Sequence, residues 1–279
     1  MRSAFLFPGQ GSQEVGMLSA LAQRHPLVRE TFEEASSVLG EDLWRLSQEG
    51  PKALLDQTTI TQPAMLAADV ALWRLWESLG GRRPDVMAGH SLGEYAALVA
   101  AGALDFGEAL RLVRARARYM EEAAEGGMAA ILGLSDEDVE ALCREVEGVV
   151  EPANLNAPGQ VVVAGERAAV EAAVELARQR GAKRCVPLAV SVPSHCSLMR
   201  PAAERLAREL AAVPLRPPSI PVVQNASAQS HDDPDLIRQR LEEQLYLPVR
   251  WVESLRAMAP LEAVAEAGPG RVLGGLAKR

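Results

Sequence analysis

The sequence predicts an α/β protein, and three stretches predict it. The first is a short apolar segment, Asp85-Val86-Met87-Ala88, that runs into Gly89-His90-Ser91-Leu92-Gly93 and then into an alanine-rich helical pattern. The second is an N-terminal apolar run, Ala4 to Phe7, followed at once by the glycine-rich loop Pro8-Gly9-Gln10-Gly11-Ser12-Gln13. The third is a change in the order of elements after Gly126-Gly127, where a β-α-β-β-α-β succession replaces the helix-rich pattern before it.

Each element follows from local chemistry. Ala4 to Phe7 reads as a first strand, and not as a signal peptide, because the Pro-Gly turn ends the apolar run. The loop after it exposes backbone N–H groups that suit an anion or a developing oxyanion. A phosphate loop is excluded, since no Gly-Lys-Ser/Thr follows. Helices are predicted around residues 18–24, 27–39 and 51–56, a turn over Thr59-Ile60-Thr61-Gln62-Pro63, and a long helix over 64–79. Gly89 to Gly93 fits Gly-x-Ser-x-Gly, in which a serine sits on a strained strand-to-helix corner with its hydroxyl pushed out of the sheet. The flanking glycines leave room where a β-carbon would collide. An ordinary structural turn fits the same five residues, so Ser91 is a candidate nucleophile on context.

A helix over 105–124 carries Arg111, Arg114, Arg116 and Arg118. Three of these have charged neighbours three or four positions away and read as a solvated face. Arg116 instead has Leu112, Val113, Tyr119 and Met120 around it, so its charge needs a buried partner. That partner is either an internal carboxylate or a bound carboxylate ligand. From 126 to 188 the strands and helices follow the ferredoxin-like order. The expected architecture is an α/β-hydrolase-like large domain formed by 1–125 and 189–279, with an inserted ferredoxin-like small domain over 126–188. After the insertion come a helix over 198–213, a strand over 220–225, a polar loop at 230–234, a helix over 236–245, a last strand over 261–266 and a closing helix over 271–278.

Composition narrows the function. The chain has 279 residues, a net charge of −8 and no basic block, so nucleic acid and anionic membrane are not expected partners. No apolar run is long enough to cross a bilayer. Three widely spaced cysteines, Cys143, Cys185 and Cys196, argue against a disulfide framework or a metal site and for a reducing cytoplasm. Of the four histidines, His25 and His231 read as solvated and His90 as aimed away from its neighbour Ser91. His195, at a strand-to-helix junction, remains as the base, although a lone histidine is often structural. Cys196 is a rival nucleophile beside it. No acid is placed to orient His195, which points to a dyad with a backbone carbonyl.

With these residues in place the chain resembles the malonyl-CoA:acyl carrier protein transacylase family over essentially its full length. The matching stretches are Phe7 to Gln13, Gln62-Pro63-Ala64, Gly89 to Tyr95, Arg116, Asn156 to Val162, Pro193-Ser194-His195-Cys196 and Gly268-Pro269-Gly270. The C-terminus is short against the family pattern. The resemblance implies Ser91 as acyl-accepting nucleophile, His195 as general base, the backbone N–H groups of Gln10 and Leu92 as oxyanion hole, and Arg116 as clamp on the malonyl carboxylate. It also implies that His195 is held by a main-chain carbonyl within Leu247-Pro248-Val249-Arg250-Trp251. Malonyl-CoA and an acyl carrier protein of fatty-acid or polyketide synthesis are the implied partners of a cytoplasmic monomer, with no cofactor. The competing expectation is a serine esterase or thioesterase, and a non-catalytic carrier-binding module is a third.

Overall fold

The computed structural model describes residues 2–278. Strand β1 (Ser3–Phe7) is buried in all but its first residue, as a parallel strand covered on both faces must be. Helices α1 (Ser19–Arg24), α2 (Pro26–Leu39), α3 (Leu43–Glu49), α4 (Lys52–Leu55) and α5 (Thr58–Ser78) follow. Helix α3 lies outside the predicted set, although its signals are present: the Asp42 side chain accepts from Arg45 N, and Gly50 closes it.

The predicted turn at 59–63 is helical, because α5 starts at Thr58 and runs through Pro63. A proline there removes one N–H and costs about 3 kcal/mol in an isolated helix. Every residue from Ile60 to Ala71 is buried, and that packing outweighs the local break. One consequence is that Gln62 stands on a rigid helix facing the site.

Strand β2 (Val86–Gly89) turns directly into α6 (Gly93–Ala100), and α7 (Phe106–Ala123) follows. The chain then makes β3 (Gly127–Leu132), α8 (Asp136–Glu145), β4 (Val150–Ala157), β5 (Gln160–Gly165), α9 (Arg167–Gln179) and β6 (Arg184–Pro187). These four strands form their own antiparallel sheet, in the order β4-β5-β3-β6. Its core is aliphatic, with Ile131, Val139, Leu142, Val163 and Val174 among the buried residues.

A 3-10 turn (Ser197–Met199) leads back through α10 (Arg200–Ala212), β7 (Val222–Gln224), β8 (Gln229–Ser230), α11 (Pro234–Glu243), α12 (Trp251–Met258), β9 (Ala263–Glu266) and α13 (Val272–Leu276). The first sheet has the order β8-β7-β2-β1-β9 and is parallel except for β8. Strand β8 occupies the start of the predicted polar loop; two residues are too few to leave a period-two signature. The result is a mixed α/β protein in which β1 and β2, the strands ending in the two motif loops, lie side by side at the centre.

The two sheets are fastened near the site. Val249 N donates to Ala153 O and Leu155 N to Val249 O, each at 2.9 Å. The Glu151 carboxylate of β4 accepts from Ser197 N at 2.8 Å and from Ser197 Oγ at 2.6 Å. Residues just after His195 are therefore tied to the second sheet.

Candidate active site

The corner between β2 and α6 has the geometry that its glycines require. A β-carbon on Gly89 would lie 1.9 Å from Gly93 C, and one on Gly93 would lie 2.0 Å from Phe7 O. Ser91 takes φ 52°, in the left-handed region that is costly for a residue with a side chain. Two contacts hold it there: Ser91 N donates to Asn225 Oδ1 at 2.7 Å, and Asn225 Nδ2 donates to Gly89 O at 2.7 Å.

His195 also has a positive φ, 62°, and is 3% exposed. Its Nδ1 lies 2.6 Å from Gln244 O, and its Nε2 lies 2.8 Å from Ser91 Oγ. A carbonyl can only accept, so Nδ1 carries the hydrogen and Nε2 is free to accept from the serine hydroxyl. Burial, then the nearby Arg116 charge, drives the His195 pKa down to about 3. The imidazole is therefore neutral at physiological pH, the form a general base needs.

The orienting carbonyl belongs to Gln244 and not to the segment 247–251. Gln244 caps the C-terminus of α11, where the last carbonyls of a helix have no partner further along the chain. The negative end of the α11 dipole also faces the imidazole. No side-chain pattern marks a carbonyl of this kind.

Arg116 lies on the inner face of α7 and is 1% exposed. Its Nη1 donates to Gln62 Oε1 at 2.9 Å, and its Nη2 donates to Gln244 Oε1 at 3.1 Å and to Ser91 Oγ at 3.2 Å. Among the described residues no carboxylate pairs with it, and its Nε has no acceptor. The internal-carboxylate reading of Arg116 therefore fails as a direct ion pair. The guanidinium is steered by two amides and keeps donor capacity beside the serine.

Gln244 links these groups. Its Nε2 donates to Ser91 O at 3.0 Å and to Glu94 Oε2 at 2.9 Å. Glu94 also accepts from Asn225 N and Gln224 Nε2. Burial pushes its carboxyl up to about 7 against those donors and the Arg116 charge. Gln244, Asn225 and Glu94 escaped the sequence reading, since each acts through amide or main-chain contacts without a motif. Only Glu94, adjoining the elbow at the head of a helix, carried a positional hint.

The remaining candidates sort themselves. His90 Nε2 contacts Asn156 Oδ1 at 2.8 Å, and its ring lies beside Trp251, so it does not serve Ser91. Cys196 is buried with its thiol on Pro193 O, and burial pushes its pKa up to about 12, which removes it as a nucleophile. Gln10 and Leu92 line one cavity of about 130 Å³ with Ser91, His195, Arg116 and Gln62. Met128, Asn154 and Leu188 close that cavity from the second sheet's side. A larger groove of about 650 Å³, between α5 and α7, contains neither Ser91 nor His195.

Comparison with known proteins fits this geometry. An acyl transferase domain model matches residues 4–271. The chain is 53% identical to the malonyl CoA-acyl carrier protein transacylase of Salmonella typhimurium, over 99% of this chain and 92% of that protein. It is 45% identical to the protein of that name from Bacillus subtilis, over 99% and 89%. The structure of the malonyl CoA-acyl carrier protein transacylase from Coxiella burnetii superposes with a TM-score of 0.98, at 50% identity, covering 100% of this chain and 90% of that one. A malonyl-transacylase solved in complex with its type II polyketide-synthase acyl-carrier protein gives 0.98 at 51% identity, covering 100% and 93%.

Proposed function

The chain belongs to the acyl transferase domain family, and from that membership we propose that it moves a malonyl group from malonyl-CoA to the phosphopantetheine thiol of an acyl carrier protein. One observation carries the reading. Ser91 Oγ meets His195 Nε2 at 2.8 Å and Arg116 Nη2 at 3.2 Å, so nucleophile, base and carboxylate receptor converge on one oxygen.

His195 takes the hydroxyl proton as Ser91 attacks the thioester carbonyl, and returns it to the departing CoA sulfur. The Gln244 carbonyl holds the imidazole and stabilises the transient imidazolium. The N–H groups of Gln10 and Leu92 form the oxyanion hole; both residues line the cavity with Ser91. Donors of this kind are worth about 3–4 kcal/mol each. Arg116 binds the malonyl carboxylate through parallel N–H donors. The malonyl-serine ester then waits for the carrier thiol, which His195 deprotonates in turn. Two half-reactions through one covalent intermediate give ping-pong kinetics.

The architecture supports the same reading. The parallel sheet with its nucleophile elbow supports reading 1–125 and 189–279 as an α/β-hydrolase-like large domain, and the β4-β5-β3-β6 order supports reading 126–188 as a ferredoxin-like small domain. The cavity lies where the two meet, which shields the ester from water. Three unpaired cysteines fit a cytoplasmic enzyme, and among the described residues no helix is long and apolar enough to cross a membrane. We read the enzyme as a monomer.

Intact mass after incubation with malonyl-CoA tests the core of this reading. The wild type should gain one malonyl group and Ser91→Ala none, with the group passing to an added carrier thiol faster than to water. Acylation of Ser91→Ala would refute the assignment, and steady release of free malonate outpacing transfer would favour the esterase.

A further inference from the structure

Arg116 carries a positive charge into the site, yet the groups on its guanidinium are two amides and a hydroxyl. The negative charge that answers it is one residue removed. Glu94, in the first turn of α6, is fully buried. Gln244 joins the two: its Oε1 accepts from Arg116 Nη2 at 3.1 Å, and its Nε2 donates to Glu94 Oε2 at 2.9 Å. The other partners of Glu94 are Asn225 N at 2.8 Å and Gln224 Nε2 at 3.1 Å, all of them donors. Glu94 makes no hydrogen bond to Ser91 Oγ or to the His195 ring, so bond making leaves it without a task.

On the malonyl-transfer reading, on which this inference rests, the substrate carboxylate docks on Arg116. The buried cluster then holds two negative charges against one positive. An uncompensated charge at low dielectric is expensive, and a titratable group there neutralises instead. The groups that can respond are few. Arg116, from α7, is the carboxylate's own partner. Tyr95, beside Glu94 on α6, is a neutral phenol that burial pushes still further from ionising. His195 meets the cluster through Gln244 O, and a proton on it would remove the base. Gln224, Asn225 and Gln244 do not titrate. Glu94 remains, and burial already holds its carboxyl near neutrality, at about 7.

We propose that Glu94 takes up a proton as the malonyl carboxylate docks on Arg116, and so sets the pH range over which the site prefers a carboxylate-bearing acyl group to a neutral one. Glu94 is a positioning residue, since it reaches the substrate only through Gln244 and Arg116. The proton comes from solvent. The acyl transfer itself is proton-neutral: the serine O–H and the thioester C–S bond break, and an ester C–O and a CoA S–H form. Binding that consumes a proton weakens as pH rises past the point where free Glu94 ionises, by about tenfold per pH unit for one proton. An acetyl group brings no charge and pulls no proton.

Calorimetry on the full-length enzyme tests this, with malonyl-CoA added at pH 8 in two buffers of different ionisation enthalpy. About one proton should be taken up per malonyl-enzyme formed, by proton linkage. The ratio of kcat/KM for malonyl-CoA over acetyl-CoA should fall about tenfold from pH 8 to pH 9. In Glu94→Gln both effects should vanish. That variant sets an amide N–H against existing donors and can misfold, so the wild type supplies a second readout. Its infrared difference spectrum on malonylation should show the carbonyl stretch of a newly protonated carboxylic acid, absent on acetylation. A malonyl-enzyme formed with no proton uptake and no such band overturns the proposal. Failure of any CoA ester to acylate Ser91 would instead refute the transfer reading, and the role of Glu94 with it.

Discussion

Replacing Arg116 with alanine separates the clamp from a merely structural arginine. The change removes the guanidinium that meets Gln62 Oε1 at 2.9 Å, Gln244 Oε1 at 3.1 Å and Ser91 Oγ at 3.2 Å. A malonyl carboxylate then loses two charge-assisted hydrogen bonds, worth about 1.5–3 kcal/mol each. Malonyl kcat/KM should fall by about 3–6 kcal/mol of transition-state binding, or roughly 10²–10⁴-fold. Acetyl-CoA has no carboxylate to lose, so its kcat/KM should hold or rise. The fold should survive, because two orphaned amide oxygens are offset by removal of a buried charge. A second readout is independent of binding. Arg116 is the second cause, after burial, of the low His195 pKa. Without it the His195 pKa rises, and the acid limb of the kcat/KM profile must move to higher pH. Rapid-quench measurement of acyl-enzyme formation with both esters, carried from pH 8 down to the wild-type acid limb near pH 3, gives both results. A parallel loss for malonyl and acetyl, with an unmoved acid limb, would refute the clamp.

Two further substitutions probe the frame. Gly93→Ala should unfold the protein or cost more than about 4 kcal/mol, the range of severe steric lesions, because the new methyl would meet Phe7 O at 2.0 Å and Pro8 O at 2.8 Å. Gly275→Ala, in open space, is the matched control and should change urea stability by less than about 1 kcal/mol. His195→Gln should flatten the acid side of the stability curve. Buried neutral His195 resists protonation until about pH 3, whereas the unfolded side chain takes a proton near 6.5. The unfolded state thus binds more protons in that window, and stability is lost as pH falls. Between pH 7 and 5 this group costs the wild type about 2 kcal/mol that the variant keeps. Glu94 acts with the opposite sign, its raised carboxyl losing stability as pH climbs from 4.5 towards 7. It is common to both proteins and cancels in the comparison. Equal acid slopes in urea unfolding would show that His195 is not buried as a neutral base.

The parts legible in the sequence are those whose physical demand falls on consecutive residues. The elbow demands glycine on both sides of a serine, and the collisions at Gly89 and Gly93 show why no other residue fits. The second sheet is legible for the same reason, since its strands and helices follow one another without long loops. Arg116 stood out because its helical neighbours are apolar, and a charge among them needs an explanation. What escaped is decided between distant segments. The start of α5 depends on burial that overrides a proline. The His195 orienter is a main-chain oxygen, and every residue has one. It falls at Gln244 because α11 ends there, one helical turn before the segment the family resemblance favoured.

The amides around Arg116 also bear on specificity. A carboxylate in place of Gln62 or Gln244 would satisfy the guanidinium permanently, and a malonyl group would then have to displace an ion pair to bind. An amide oxygen holds the same geometry at 2.9 Å without forming an ion pair, which on the proposed reading leaves the guanidinium open to the malonyl carboxylate. Gln62→Glu is nearly isosteric and converts that contact into a buried salt bridge. The expected result is a drop in malonyl kcat/KM of about 10²-fold, the value of roughly one charged hydrogen bond. Acetyl kcat/KM should change little, because Ser91, His195 and the Gln244 carbonyl are untouched. The added carboxylate also gives the cluster two negative charges against one positive, so Glu94 should hold its proton to higher pH in the variant than in the wild type. If Gln62→Glu kept its full preference for malonyl over acetyl, the guanidinium of Arg116, free of any directly bonded carboxylate, would not be what selects the substrate.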